Sequence, residues 1–111
     1  MLRNHPQFAF HKGGSERITI PLPDGNSIEY GAWLALAQNF KTVETYHFTS
    51  MNSDETTTHL SFGISPEVSN KFEVGDVEAQ VSYKDSNGDM HYFEPVYGLC
   101  LRAYENTSAT Q

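Results

Sequence analysis

Asp76-Val77-Glu78-Ala79-Gln80-Val81-Ser82-Tyr83 is the stretch on which the reading of this chain turns. Apolar and polar residues alternate through it without a break, a period of two that suits a strand with one face in a core and the other in water. Val77, Ala79, Val81 and Tyr83 are assigned inward, and Asp76, Glu78, Gln80 and Ser82 outward. The residues that follow, Asp85-Ser86-Asn87-Gly88-Asp89, are turn chemistry: the aspartate can accept hydrogen bonds from the backbone just after it, and the glycine serves a position needing positive φ. Met90 to Phe93 then returns antiparallel. A lone hairpin is at best marginally stable in water, so further strands must cover its apolar face.

Those strands can be read on both sides of it. Upstream, Ser65-Pro66-Glu67 predicts a short helical turn over about residues 65–72, because Ser65 can cap, Pro66 suits the first helical position, and Val68 and Phe72 lie four apart on one face. Gly75 ends that excursion. Thr57 to Ile64 reads as a strand with Thr58, Leu60, Phe62 and Ile64 inward, and Thr42 to Thr49 as another, rich in β-branched and aromatic residues. Ala32-Trp33-Leu34-Ala35-Leu36-Ala37 is apolar on both faces and accommodates either a strand buried on both sides or a short helix. The preceding Gly31 and the β-rich segment after it favour the strand in a meander, with Trp33 in the core. Arg17 to Leu22 alternates, with Ile18, Ile20 and Leu22 inward, and the turn Asp24-Gly25-Asn26-Ser27 follows it. Downstream, Tyr97 to Tyr104 completes the sheet. Short strands divided by turns, without a helix-length apolar stripe, predict an all-β chain forming one immunoglobulin-like antiparallel sandwich. Residues 1–111 are read as a single domain, with an ordered core from about 15 to 104 and polar, mobile ends.

Composition narrows the function. With 14 acidic against 7 basic residues the net charge is -7, and the basic residues form no stripe, so nucleic acid is not an expected partner. A 13% aromatic content excludes a disordered chain. The lone Cys100 allows no internal disulfide and reads as a buried thiol. No apolar run is long enough to span a bilayer and the N-terminus lacks a signal-peptide core, so neither a membrane nor secretion is expected.

Motifs for catalysis are missing. His5, His11, His47, His59 and His91 show no metal-ligand spacing, although His47 and His59 could meet across neighbouring strands. Asp85 to Asp89 has oxygen ligands in alternation but lacks the distal glutamate of a helix-loop-helix calcium site. No nucleophile elbow, phosphate-cradling loop or dinucleotide fingerprint occurs. The expectation is a non-enzyme with no cofactor and no metal.

The run from Leu60 to Val81, in which a strand ends at Ser65-Pro66-Glu67, a helical turn follows, and Gly75 launches a strand into the Asp85-Ser86-Asn87-Gly88 hairpin, resembles the N-terminal domain of upper baseplate proteins from siphophages of Gram-positive bacteria. The order of elements matches from Arg17 to Ala103, the residue pattern only from Leu60 to Phe93. The resemblance implies an immunoglobulin-like module that attaches to a tail and oligomerises. Those proteins carry a long C-terminal extension, so this chain is expected to be a free-standing tail, baseplate, neck or head-decoration component of the virion, assembled in the host cytoplasm. Its partners would be itself or other virion proteins, with Tyr30, Tyr46, Tyr92 and Tyr104 as aromatic interface anchors. Two further readings are a carbohydrate-binding sandwich using Trp33 or a tyrosine cluster as a platform and an acidic inhibitor of a host nucleic-acid-binding protein.

Overall fold

A computed structural model describes residues 5–21, 31–48 and 59–104. The chain order is β1 (Phe8–His11), β2 (Glu16–Pro21), β3 (Ala32–Gln38), β4 (Lys41–Phe48), β5 (His59–Ile64), α1 (Pro66–Ser69), β6 (Gly75–Lys84), β7 (Met90–Tyr92) and β8 (Val96–Leu101). A larger sheet runs β1-β8-β6-β3-β4, with β7 pairing β6 beside it, and a smaller sheet pairs β2 with β5. The chain thus changes sheets after β1, after β2, after β4 and after β5. That alternation, with the second and fifth strands opposite the third, fourth, sixth and last, is the Greek-key layout of an immunoglobulin-like sandwich. No helix among the described residues is long and apolar enough to cross a membrane.

One core fills the space between the sheets. Ile18 and Ile20 of β2 and Leu60, Phe62 and Ile64 of β5 face Ala32, Leu34 and Leu36 of β3, Val77, Ala79 and Val81 of β6, and Cys100 of β8. Burial alternates along β6 as its sequence requires, except that Ser82 on the outer face is also covered. Phe10 and Phe72 meet edge to face at 5.2 Å and close one end.

Local chemistry sets the connections. Ser65 caps α1, its Oγ accepting from the Val68 N–H at 3.3 Å, and Pro66 opens the helix. The buried Ser69 donates from Oγ to the Gly14 carbonyl at 2.9 Å, and Lys12 Nζ donates to the carbonyls of Asn70 and Phe72, so the helix end is satisfied from the β1–β2 turn. In the β6–β7 turn Asp85 Oδ1 accepts from the N–H groups of Asn87 and Asp89 at 2.9 and 3.0 Å, and Gly88 takes φ 87°.

Three features depart from expectation. Phe8 to His11, read as part of a mobile start, forms β1, which pairs β8 in parallel and contributes Phe8 and Phe10 to the core. β3 is buried on one side only: Trp33, Ala35 and Ala37 point outward, half-buried, while their neighbours fill the core. The last strand stops at Leu101, short of Tyr104. Leu22, Thr58 and the turn at 24–27 lie outside the described residues.

The parallel β1–β8 contact puts the Phe8 ring across Gly98, and a methyl group at that glycine would overlap the ring. Gly98→Ala is therefore expected to destabilise the fold by about 1–3 kcal/mol, the usual cost of overpacking, as measured by chemical denaturation. Pairing it with Phe8→Leu should recover part of that loss. A second prediction concerns Asp85, whose carboxyl is held below the ordinary range first by the hydrogen bond from His91 and then by the N–H groups of Asp89 and Asn87. A depressed folded-state pKa contributes stability present at neutral pH and lost as pH falls, here from roughly pH 4 downward. Acid titration of Asp85→Asn should accordingly show a shallower stability loss below that pH than the parent chain.

Candidate functional site

The outer face of the large sheet is where the alternation of the strands leaves apolar groups without a core. β3 places Trp33, Ala35 and Ala37 there, and β8 places Tyr97, Leu99 and Leu101. Between them runs the outward row of β6: Asp76 and Glu78 exposed at one end, Gln80 and Ser82 covered toward the other. The register puts Trp33 beside Ser82, Ala35 beside Gln80, Ala37 beside Glu78, and Glu78 beside Tyr97. Gln80 donates to the Phe93 carbonyl at 2.9 Å, and the Tyr97 hydroxyl donates to Asp76 Oδ1 at 3.0 Å.

Trp33 is the largest group on this face, and its ring is already engaged. His47 of β4 stacks on it with centroids 4.6 Å apart and planes 6° from parallel. Lys84 Nζ lies over the ring at 5.6 Å from its centroid, a cation–π arrangement. Its position outside the core follows from phase: Ala32, Leu34 and Leu36 hold the inward sites, so the residue between the first two must face out.

The tyrosines named as anchors separate. Tyr92 and Tyr104 are 66% and 84% exposed. Tyr46 turns inward, its ring 4.9 Å from Phe62 and its hydroxyl buried without a hydrogen-bond partner among the described residues, so it serves the core. Burial, and next the nearby Glu44, raises its pKa. Tyr30 lies outside the described residues.

The most exposed aromatic among the described residues was not singled out by the sequence. Phe40, at the tip of the β3–β4 hairpin, is 98% exposed. Gln38 and Lys41 pair across it, leaving Asn39 and Phe40 as a two-residue loop with φ of 54° and 66°. That is the primed turn whose second position ordinarily takes glycine. Asn39 between two runs of strand-forming residues was the available signal. Beside the tip an open groove of about 190 Å³ is lined by Ala37, Gln38, Asn39, Phe40, Asp76 and Glu78.

Three of the five histidines contact described neighbours. His11 contacts Glu16 at 2.8 Å, His91 contacts Asp85 at 2.7 Å and stacks on Tyr83, and His47 belongs to Trp33. No group of three or more His, Cys, Asp or Glu side chains that could hold a metal ion is found among the described residues. Cys100 is buried, and desolvation raises its pKa, the reverse of what a nucleophilic thiolate needs.

Phe40 makes no use of the core, and a phenylalanine at positive φ costs about 1–2 kcal/mol relative to a residue that tolerates it. Phe40→Gly is expected to raise stability by about 0.5–1 kcal/mol, the relief being partly offset by the greater freedom of glycine in the unfolded chain. Denaturant midpoints of the two proteins measure it, and a loss of stability would show that the ring packs against the fold.

No family model matches the chain, and no curated protein matches it in sequence. Two solved structures are similar to it in fold. One is the immunoglobulin-like domain of mouse leukocyte-associated immunoglobulin-like receptor 1, a strand-swapped dimer, at 10% identity and a TM-score of 0.45 over 91% of this chain and 95% of that one. The other is the extracellular domain of the same receptor, also a strand-swapped dimer, at 9% identity and a TM-score of 0.42 over 95% of this chain and 89% of that one.

Proposed function

We propose that this chain is a non-enzymatic structural protein of a bacteriophage virion, a tail, baseplate, neck or head-decoration component. It works by packing the outer face of its large sheet against another subunit, a copy of itself or a second virion protein. The observation that carries the assembly reading is the set of apolar side chains on that face, Trp33, Ala35 and Ala37 on β3 with Leu99 and Leu101 on β8. An antiparallel sheet open to water on one side ordinarily alternates to polar residues there, and apolar area on such a face is what a partner would cover. The virion setting is supported by the residue pattern from Leu60 to Phe93 and is the narrower part of the reading.

A carbohydrate-binding reading draws on Trp33 being on the outer face. A sugar needs a free ring face to stack on, and His47 and Lys84 already occupy the Trp33 ring. An acidic inhibitor reading needs carboxylates in a line like phosphates, whereas Glu16 on β2, Glu78 on β6 and Asp85 in the β6–β7 turn are dispersed. Assembly is the better supported of the three.

The test is molar mass by light scattering over a wide concentration range and two salt levels, together with sedimentation beside phage particles. A defined oligomer or particle binding is expected, weakened about tenfold, or 1.4 kcal/mol, by Leu99→Lys. Association between copies each carrying -7 should tighten as salt screens their repulsion, whereas association with a basic subunit should loosen. A strict monomer that also ignores particles would overturn the proposal.

A further inference from the structure

We infer that the outer face of the large sheet is covered by a second copy of this chain, laid face to face and antiparallel about a two-fold axis through Gln80. The inference rests on the reading of that face as an assembly surface and commits it to one partner in one geometry.

Two gradients on the face select that partner. The first is of size: along the outward row of β3 a tryptophan gives way to alanines, with Trp33 beside Ser82, Ala35 beside Gln80 and Ala37 beside Glu78. The second is of charge: along the outward row of β6, Lys84 stands toward one end and the exposed Glu78 toward the other, with the neutral Ser82 and Gln80 between them. Lys84 folds back along the sheet, its Nζ 5.6 Å from the centroid of the Trp33 ring, which brings the charge to about the level of Ser82. Both gradients therefore share one midpoint, the cross-strand pair Ala35 and Gln80.

A surface graded in this way complements itself only when one copy is reversed. Sheets stack about 10 Å apart with their strands within roughly 30° of alignment. Turning a second copy end over end about Gln80 sets each Trp33 over the other's Ala37, bulky on small, and each Lys84 against the other's Glu78. The alternative two-fold, along the strands, faces Lys84 with Lys84 and Glu78 with Glu78, and like charges in contact disfavour it. The same reversal joins apolar groups on the flank opposite β3. Met90 pairs with Lys84 and Leu99 with Asp76, each four positions from Gln80 along β6, so the exposed Met90 of one copy lies over Leu99 of the other. The -7 carried by each copy opposes approach, but physiological salt screens charges farther apart than about 8 Å, whereas the facing pairs are in contact.

Sedimentation equilibrium of the full chain at physiological salt tests the inference. The parent chain is expected to dimerise, and Glu78→Lys and Lys84→Glu are each expected to weaken the dimer about tenfold or more. An equimolar mixture of the two variants should recover it, because every facing pair again joins a lysine to a glutamate. A second readout is geometric: Ala35→Cys, next to the axis, should crosslink between copies through a bismaleimide spanning about 10 Å, and Thr19→Cys on the outer face of the small sheet should not. A dimer indifferent to both reversals, a mixture that stays monomeric, or crosslinking no better at Ala35→Cys than at Thr19→Cys would overturn the two-fold. If Leu99→Lys still disrupts that association, the assembly face itself stands. A strict monomer also overturns the inference, and its binding to phage particles, or failure to bind them, settles the broader proposal separately.

Discussion

β6 hydrogen-bonds to three other strands, to β3 from Glu78 to Tyr83, to β8 from Gly75 to Ala79, and to β7 from Ser82 to Lys84. Its period-two pattern therefore sets the phase of most of the large sheet. Because cross-strand partners point to the same side, putting Val77, Ala79 and Val81 inward forces Leu34, Leu36, Gly98 and Val96 inward as well. A slip of one residue would carry that whole set to the solvent face, so the register is held by the same burial that it creates. The small sheet then has one place to go, against those residues, and Ile18, Ile20, Leu60 and Phe62 follow.

The two hairpins of the large sheet differ in what their turns serve. Between β6 and β7 every local choice agrees with the backbone: Gly88 takes the positive φ, and the Asp85 carboxylate gathers the free N–H groups. Its carboxylate is thereby committed to the turn, and the calcium-like spelling of Asp85 to Asp89 reduces to turn chemistry. Between β3 and β4 the backbone asks for glycine and the sequence supplies Phe40. Agreement across levels is what folding rewards, and a local violation with no packing compensation is where function is to be sought.

The apolar face and the hairpin tip adjoin. Ala37 belongs to the apolar row of β3 and also lines the groove beside Phe40, and Glu78 sits next to it in register. Among the described residues, neither the buried thiol nor the surface histidines offer a catalytic group. Cys100 is buried with its pKa raised by desolvation, and each of His11, His47 and His91 is held by one or two neighbours.

Legibility in the sequence tracked how local each signal was. The strands β2 to β6, the Ser65 cap, the Pro66 start and the Gly88 turn were readable because alternation and capping act within a few residues. β1 was not, since Phe8-Ala9-Phe10-His11 is too short to announce itself and is a strand only because β8 offers it a parallel edge. Trp33 was misplaced for a related reason: in a segment apolar on both faces, periodicity cannot say which face is the core, and the pairing with β6 decided it. The groove was invisible because Phe40 and the pair Asp76 and Glu78 lie more than thirty residues apart and meet only where β3 and β6 pair. Sequence alone determined an all-β chain and most of its strand phases, which depend on neighbours along the backbone. The tertiary structure decided which apolar faces were left outside and which charges stood beside them, which depends on contacts between distant strands.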